Sequence, residues 1–164
     1  MELYISITAA LISIVSFGFS VWIYYAGLRR QRKQATLDAF NILQGQVLDK
    51  LNTYTKTGVR EIAKNPRAEE YKELSALLAR CEHFAVGVNT KIYDVKIVRR
   101  LAEKYFVGLY DKMEPLIQKK REINKTAKHY DEFEKLVKSV NRYQNKQREA
   151  VSYTHLTLPT TERV

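Results

Sequence analysis

The sequence predicts an all-α protein: a single N-terminal transmembrane helix followed by a small antiparallel bundle of about four helices. Three observations predict it. Residues 3–28 carry no charged side chain and are followed at once by Arg29-Arg30-Gln31-Arg32-Lys33. Beyond that cluster, apolar residues recur every three or four positions, the period of one helix face. No stretch of the remainder alternates apolar and polar residues as a half-buried strand would.

The first element is the anchor, residues 1–28. As a helix rising about 1.5 Å per residue, residues 3–28 extend about 39 Å, enough to cross a hydrocarbon core of about 30 Å with some tilt. Trp22, Tyr24 and Tyr25 cluster near its C-terminal end, where amphipathic rings favour the headgroup layer. Arg29, Arg30, Arg32 and Lys33 come next, so the positive-inside bias places the C-terminal side in the cytoplasm and the N-terminus outside. A cleaved signal peptide would carry basic residues before the apolar run and a small-x-small site after it. Here Glu2 precedes the run and the run is too long, which favours an uncleaved anchor. Ser6, Ala9, Ser13, Ser16 and Ser20 fall at spacings of 3, 4, 3 and 4, with Gly27 seven beyond Ser20. Small residues let helix backbones approach closely in lipid, and a 3.5-residue period suits a left-handed pair. A homodimer through the anchor is the expectation; small residues filling an ordinary anchor is the alternative.

The far end is set apart before the rest is read. Residues 151–164, Val-Ser-Tyr-Thr-His-Leu-Thr-Leu-Pro-Thr-Thr-Glu-Arg-Val, resemble one reading frame of the transposase adapter used in short-read sequencing libraries, including the point at which that frame stops. Residues 150–164 are therefore excluded from fold reasoning as a non-native tail. Residues 29–149 are expected to be a cytoplasmic helical domain truncated near Glu149. They hold 27 basic against 16 acidic residues, a surplus of +11. Their 121 positions suffice for one small core and not for two ordinary domains. The lone Cys81 excludes an intramolecular disulfide and fits a reducing compartment. Beside a membrane, the surplus is explained by attraction to anionic headgroups, about 1 kcal/mol per juxtamembrane basic residue. Nucleic acid is the less favoured partner, and charge alone does not separate the two.

Leu37, Phe40, Leu43, Val47, Leu51 and Tyr54 mark one face of a helix over residues 30–56, which no breaker separates from the anchor. Residues 57–66 are the expected interruption. Tyr71, Leu74, Leu78, Cys81, Ala85 and Val88 form a regular stripe on a second helix over 67–88. Asn89-Thr90 ends it, and Asp94 is the expected N-cap of a third helix with Ile97, Leu101, Tyr105 and Leu109 inward. Pro115 kinks that helix or opens another, with Leu116 and Ile117 inward. Residues 124–126 read as a loop, and Tyr130, Phe133, Val137 and Val140 mark the last helix.

The order of these segments is similar to the bacterial domain of unknown function 4760 family. The segments that carry the resemblance are Arg32-Lys33-Gln34-Ala35-Thr36-Leu37-Asp38 after an anchor, Cys81-Glu82-His83-Phe84-Ala85-Val86-Gly87-Val88, Ile92-Tyr93-Asp94, Met113 to Arg121, and Tyr130 to Leu136. The resemblance covers residues 30–142. It implies a helical, often membrane-anchored bacterial protein without an assigned activity, and so supplies no catalytic residues. With the anchor's polarity it places the chain in the bacterial inner membrane.

No constellation of residues marks a catalytic, cofactor-binding or metal site. His83 and His129 are the histidines outside the tail, and neither belongs to an H-E-x-x-H or E-x-x-H arrangement. Cys81 and His83, two apart on a helix, point about 200° from each other, so Cys81 reads as core. Arg80 stands too near His83, and Arg121 too far from His129, for the Arg-to-His spacing of helical HEPN-type ribonucleases. Gly58, Gly87 and Gly108 stand alone and form no phosphate loop. Glu82 is the one polar residue singled out, because it lies inside the most regular apolar stripe and needs a cation or several donors there. Arg99 or Arg100 on the next helix would supply an ion pair; a functional acid is the alternative. The functional expectation is a membrane-tethered module that binds lipid or an unidentified protein, with a membrane-recruited nucleic-acid-binding or enzymatic effector as the second reading.

Overall fold

The computed structural model describes the backbone of residues 1–102 and 105–156, with side chains there apart from residues 2, 3, 5, 9 and 147–156. Among the described residues every regular element is a helix. The first, α1, is continuous over residues 2–52: an α-helix Glu2–Leu43, one π-turn Gln44–Leu48 and a closing turn Asp49–Asn52. At about 1.5 Å per residue it is about 75 Å long. No described side chain of its first half is buried, and its second half enters a core through Phe40, Leu43, Val47, Leu48 and Leu51. The wide turn inserts one residue into the helical period, so Val47 and the adjacent Leu48 both face inward. The expected face is observed from Phe40 to Leu51; Leu37 is exposed, Thr36 taking the inward position at that level, and Tyr54 lies beyond the helix end at Asn52, partly buried against the core.

Residues 57–66 are not simply an interruption. Helix α2, Lys56–Ala63, forms there because Thr55, in extended conformation, accepts the Gly58 amide at its N-terminus, and Val59 and Ala63, four apart, are buried. Helix α3, Glu69–Asn89, buries the whole expected stripe from Tyr71 to Val88 and adds Leu77 and Phe84. It ends at Asn89, as the sequence predicts. Phe40 meets Phe84, Gln46 meets Arg80 and Arg32 meets Tyr93, so α3 runs antiparallel to α1.

Asp94 caps α4, Val95–Ala102, accepting the Lys96 and Ile97 amides at 2.9 and 3.4 Å. The third expected helix is two elements: α5 is a separate helix, Phe106–Asn124, while residues 103 and 104 lie outside the described residues. Val98, Ala102 and Phe106 face the core in place of Ile97, Leu101 and Tyr105, one position along from the expected stripe, and Leu109 is buried as expected. Helix α5 runs through Pro115, so no new helix opens there, and Leu116 and Ile117 are buried. Lys125 closes α5 in the left-handed conformation. Tyr130, also at positive φ, turns the chain into α6, Asp131–Leu156, which buries Phe133, Leu136, Val137 and Val140. The backbone of α6 thus continues into the segment set aside as a tail, whose residues 157–164 lie outside the described residues.

Four phenylalanines from four helices meet at the centre. Phe106 lies 6.2 Å from Phe40, 6.1 Å from Phe84 and 5.5 Å from Phe133, edge-on or tilted to each. Helices α1, α3, α5 and α6 are thereby joined at one level, while α2 packs chiefly on α5 and α4 bridges α1 and α6.

Candidate functional site

Among the described residues, one helix is long and apolar enough to cross a membrane; its apolar window has a mean hydropathy of 1.9, and none of that window is buried. Ile14, Val15, Phe17 and Trp22 are all more than 60% exposed, an arrangement that water penalises and lipid does not. Trp22 stacks on Phe19, and Tyr24 meets Tyr25 edge-on at 5.7 Å, so the aromatic residues form a compact group just before the basic cluster. Ser6, Ser13, Ser16 and Ser20 lie along one face of α1; the Ala9 side chain lies outside the described residues. The Ser20 hydroxyl donates to the Ser16 carbonyl of its own helix at 2.8 Å.

Of the four expected headgroup cations, Arg29, Arg30 and Lys33 are exposed. Arg32 turns inward instead. Its Nη2 donates to the Tyr93 carbonyl at 2.9 Å, and its own carbonyl accepts the Thr36 hydroxyl at 2.7 Å. That hydroxyl in turn accepts the Asp94 amide at 2.8 Å, while the Tyr93 amide donates to Gly87 at 2.9 Å. The Tyr93 ring stacks on Phe84 and lies over Gly87, where a Cβ would come within 2.5 Å of it. The loop between α3 and α4 is therefore fastened to α1 directly below the basic cluster. The sequence offered one sign of this lock, a threonine four residues after Arg32, but the carbonyl and amide partners have no residue-type signature.

Glu82 does not meet Arg99 or Arg100. Its two carboxylate oxygens accept the backbone amides of Glu132 and Phe133 at 3.1 and 2.7 Å, capping the N-terminus of α6 from another helix. Unpaired amides and the positive end of the helix dipole satisfy the carboxylate that sequence reasoning had given to a guanidinium. Asn89 reinforces the junction by donating to the Glu132 carbonyl and carboxylate. Arg99 donates instead to Ser139 Oγ through Nε and Nη2, and Arg100 is exposed.

Arg121 ties α5 to α6, donating to the His129 carbonyl at 3.0 Å and to Glu134 at 2.8 Å. Hydrogen bonds from Lys138 and Arg121 pull the Glu134 carboxyl down to about 2. Burial, reinforced by Glu134, pushes the Tyr110 hydroxyl up to about 12. Cys81 is fully buried, and burial followed by the charge of Glu82 pushes its thiol up to about 12, so it is not an activated nucleophile.

Depressions flank α3 on two sides. One, of about 340 Å³, lies between α1 and α3 and is lined mainly by Ile42, Leu43, Val47 and Phe84, with Arg80 and His83 at its edge. Another, of about 440 Å³, gathers Glu82, His83, Lys120, Lys128 and His129. Its Glu82 carboxylate is committed to the α6 amides, and His129 Nε2 is hydrogen-bonded to the Asn124 amide at 2.8 Å. Among the described residues, no three His, Cys, Asp or Glu side chains are grouped to hold a metal ion.

A family model described as "Domain of unknown function (DUF4760)" matches residues 4–140. No curated protein and no solved structure matches the chain.

Proposed function

The chain belongs to the DUF4760 family, and we propose that this member is a single-pass membrane protein of a bacterial inner membrane. In this reading residues 1–28 are the anchor, with the N-terminus outside. Residues 29–149 form a cytoplasmic antiparallel bundle that acts as an interaction module for anionic lipid or a protein partner, and residues 150–164 are a non-native tail. One observation carries it: an apolar helix with no buried residue in its apolar window passes into a packed, basic helical domain without a break. Trp22, Tyr24, Tyr25, Arg29, Arg30 and Lys33 are the interface residues in this reading, and the Arg32–Tyr93 lock holds the bundle at a fixed distance from the headgroups.

The test is alkaline carbonate extraction of cell membranes containing the full chain. The chain is expected to stay in the washed membranes, and Leu11→Arg with Val15→Arg is expected to release it. A wild-type chain extracted by carbonate overturns the reading. Comparing salt-dependent binding to anionic vesicles and to nucleic acid then separates the lipid module from the effector alternative.

Self-association through Ser6, Ala9, Ser13, Ser16 and Ser20 is compatible with this geometry. Phe40 follows Ser13 by 27 residues, which at about 100° per residue places the core-facing side roughly opposite the small-residue face. Two anchors are therefore able to meet with their bundles directed outward.

A further inference from the structure

Arg99, released from its expected pairing with Glu82, belongs to a different cluster. It meets Ser139, Arg142, Tyr143 and Lys146 around a depression of about 340 Å³ between α4 and α6. Three cations from two helices line it, and no carboxylate is among the described residues that do so. Arg142 and Lys146 are one helical turn apart on α6, a spacing at which like charges repel. Arg99 is the organised member. It is half-buried, Nε and Nη2 donate to Ser139 Oγ at 3.2 and 2.9 Å, and its guanidinium lies over the Tyr143 ring at 5.9 Å from the centroid. Such fixation keeps the fork in one orientation, with Nη1 still able to donate. The Ser139 oxygen accepts twice, which leaves its own proton to donate. The volume is within the range of small-ligand sites.

We propose that this cluster binds a phosphate-bearing anion, with Arg142 and Lys146 supplying charge and Arg99 and Ser139 supplying oriented donors. Phosphate oxygens accept several charge-assisted hydrogen bonds at once, which matches the cationic donors among the described residues that line the site. The site is separate from the basic cluster after the apolar helix, and the inference stands whether or not that helix lies in a bilayer.

The experiment uses the full chain in nanodiscs and two probes: pyrophosphate added to discs of zwitterionic lipid, and phosphatidic acid incorporated in the discs without added pyrophosphate. Saturable binding in the first arm identifies a soluble phosphate compound. Binding in the second arm alone identifies a lipid headgroup, and either result supports the site. Arg142→Gln with Lys146→Gln is expected to weaken binding at least tenfold, and Ser139→Ala at least threefold, with melting temperatures unchanged. Arg60→Gln with Arg67→Gln removes the same charge from exposed positions elsewhere and is expected to leave binding within twofold. The proposal is overturned if neither probe binds saturably, or if the Arg60/Arg67 variant weakens binding as much as the Arg142/Lys146 variant.

Discussion

Gly87 and Tyr93 are packed so closely that a methyl group at position 87 would sit 2.5 Å from the aromatic ring. The ring has little freedom to move, since Phe84 stacks on it at 5.3 Å and its backbone is bonded to Gly87 and Arg32. Gly87→Ala is therefore expected to destabilise the fold by about 1–3 kcal/mol, the usual range for overpacking. Gly108, exposed on α5 with open space at its Cβ position, is the control. There the same substitution is expected to stabilise by about 0.5–1 kcal/mol through helix propensity. Urea denaturation of both variants checks the pair. Glu82 is the other decisive single residue. Losing the cap in Glu82→Ala is expected to cost about 0.5–2 kcal/mol, and Glu82→Gln less, since its amide oxygen still accepts a backbone hydrogen bond. Equal losses in the two variants would show that the charge on the carboxylate matters more than the hydrogen bond it accepts.

The junction of α5 and α6 responds to pH in a direction fixed by its chemistry. The Glu134 carboxyl is lowered to about 2 by Lys138 and Arg121, below an ordinary value of 4.5. A depressed carboxylate stabilises the fold above its unfolded value and loses that contribution as pH falls through the folded one. The difference in melting temperature between wild type and Glu134→Gln is therefore expected to be constant above pH 5 and to shrink between about 4.5 and 2. In α1, Ser13→Leu with Ser16→Leu is expected to abolish dimerisation in a membrane reporter, and an unchanged signal would count against the small-residue contact. How legible each element was depends on where its determinants lie. The stripe on α3 is regular over five intervals, and all six of its residues are buried. The π-turn in α1 was not legible, because a bond to the fifth residue leaves no residue-type mark, and so Leu48 was missed. Likewise, the amides that receive Glu82 and the carbonyl that receives Arg32 belong to backbone brought together only by the fold. Arg142 and Lys146 carry no mark of a site in the sequence, since only the fold brings Arg99 of α4 beside them.

For the molecule as a whole, the organising feature is α1, whose two halves ask for different surroundings. Phe40, Leu43, Val47, Leu48 and Leu51 reach water-excluded positions within the bundle, whereas none of the described apolar residues before Arg29 is buried. Because the helix is continuous, and because Arg32 and Thr36 bind the loop at Tyr93 and Asp94, the bundle's placement follows from that of the apolar half of the helix. The central claim is this topology, and thiol accessibility tests it most directly. The single native cysteine, Cys81, is fully buried and its thiol is pushed up to about 12, so it gives little background. Tyr4→Cys and Lys50→Cys would be treated with a membrane-impermeant maleimide in spheroplasts, before and after permeabilisation. The account predicts modification of Tyr4→Cys in intact spheroplasts and of Lys50→Cys only after permeabilisation; modification of Lys50→Cys in intact spheroplasts would contradict it.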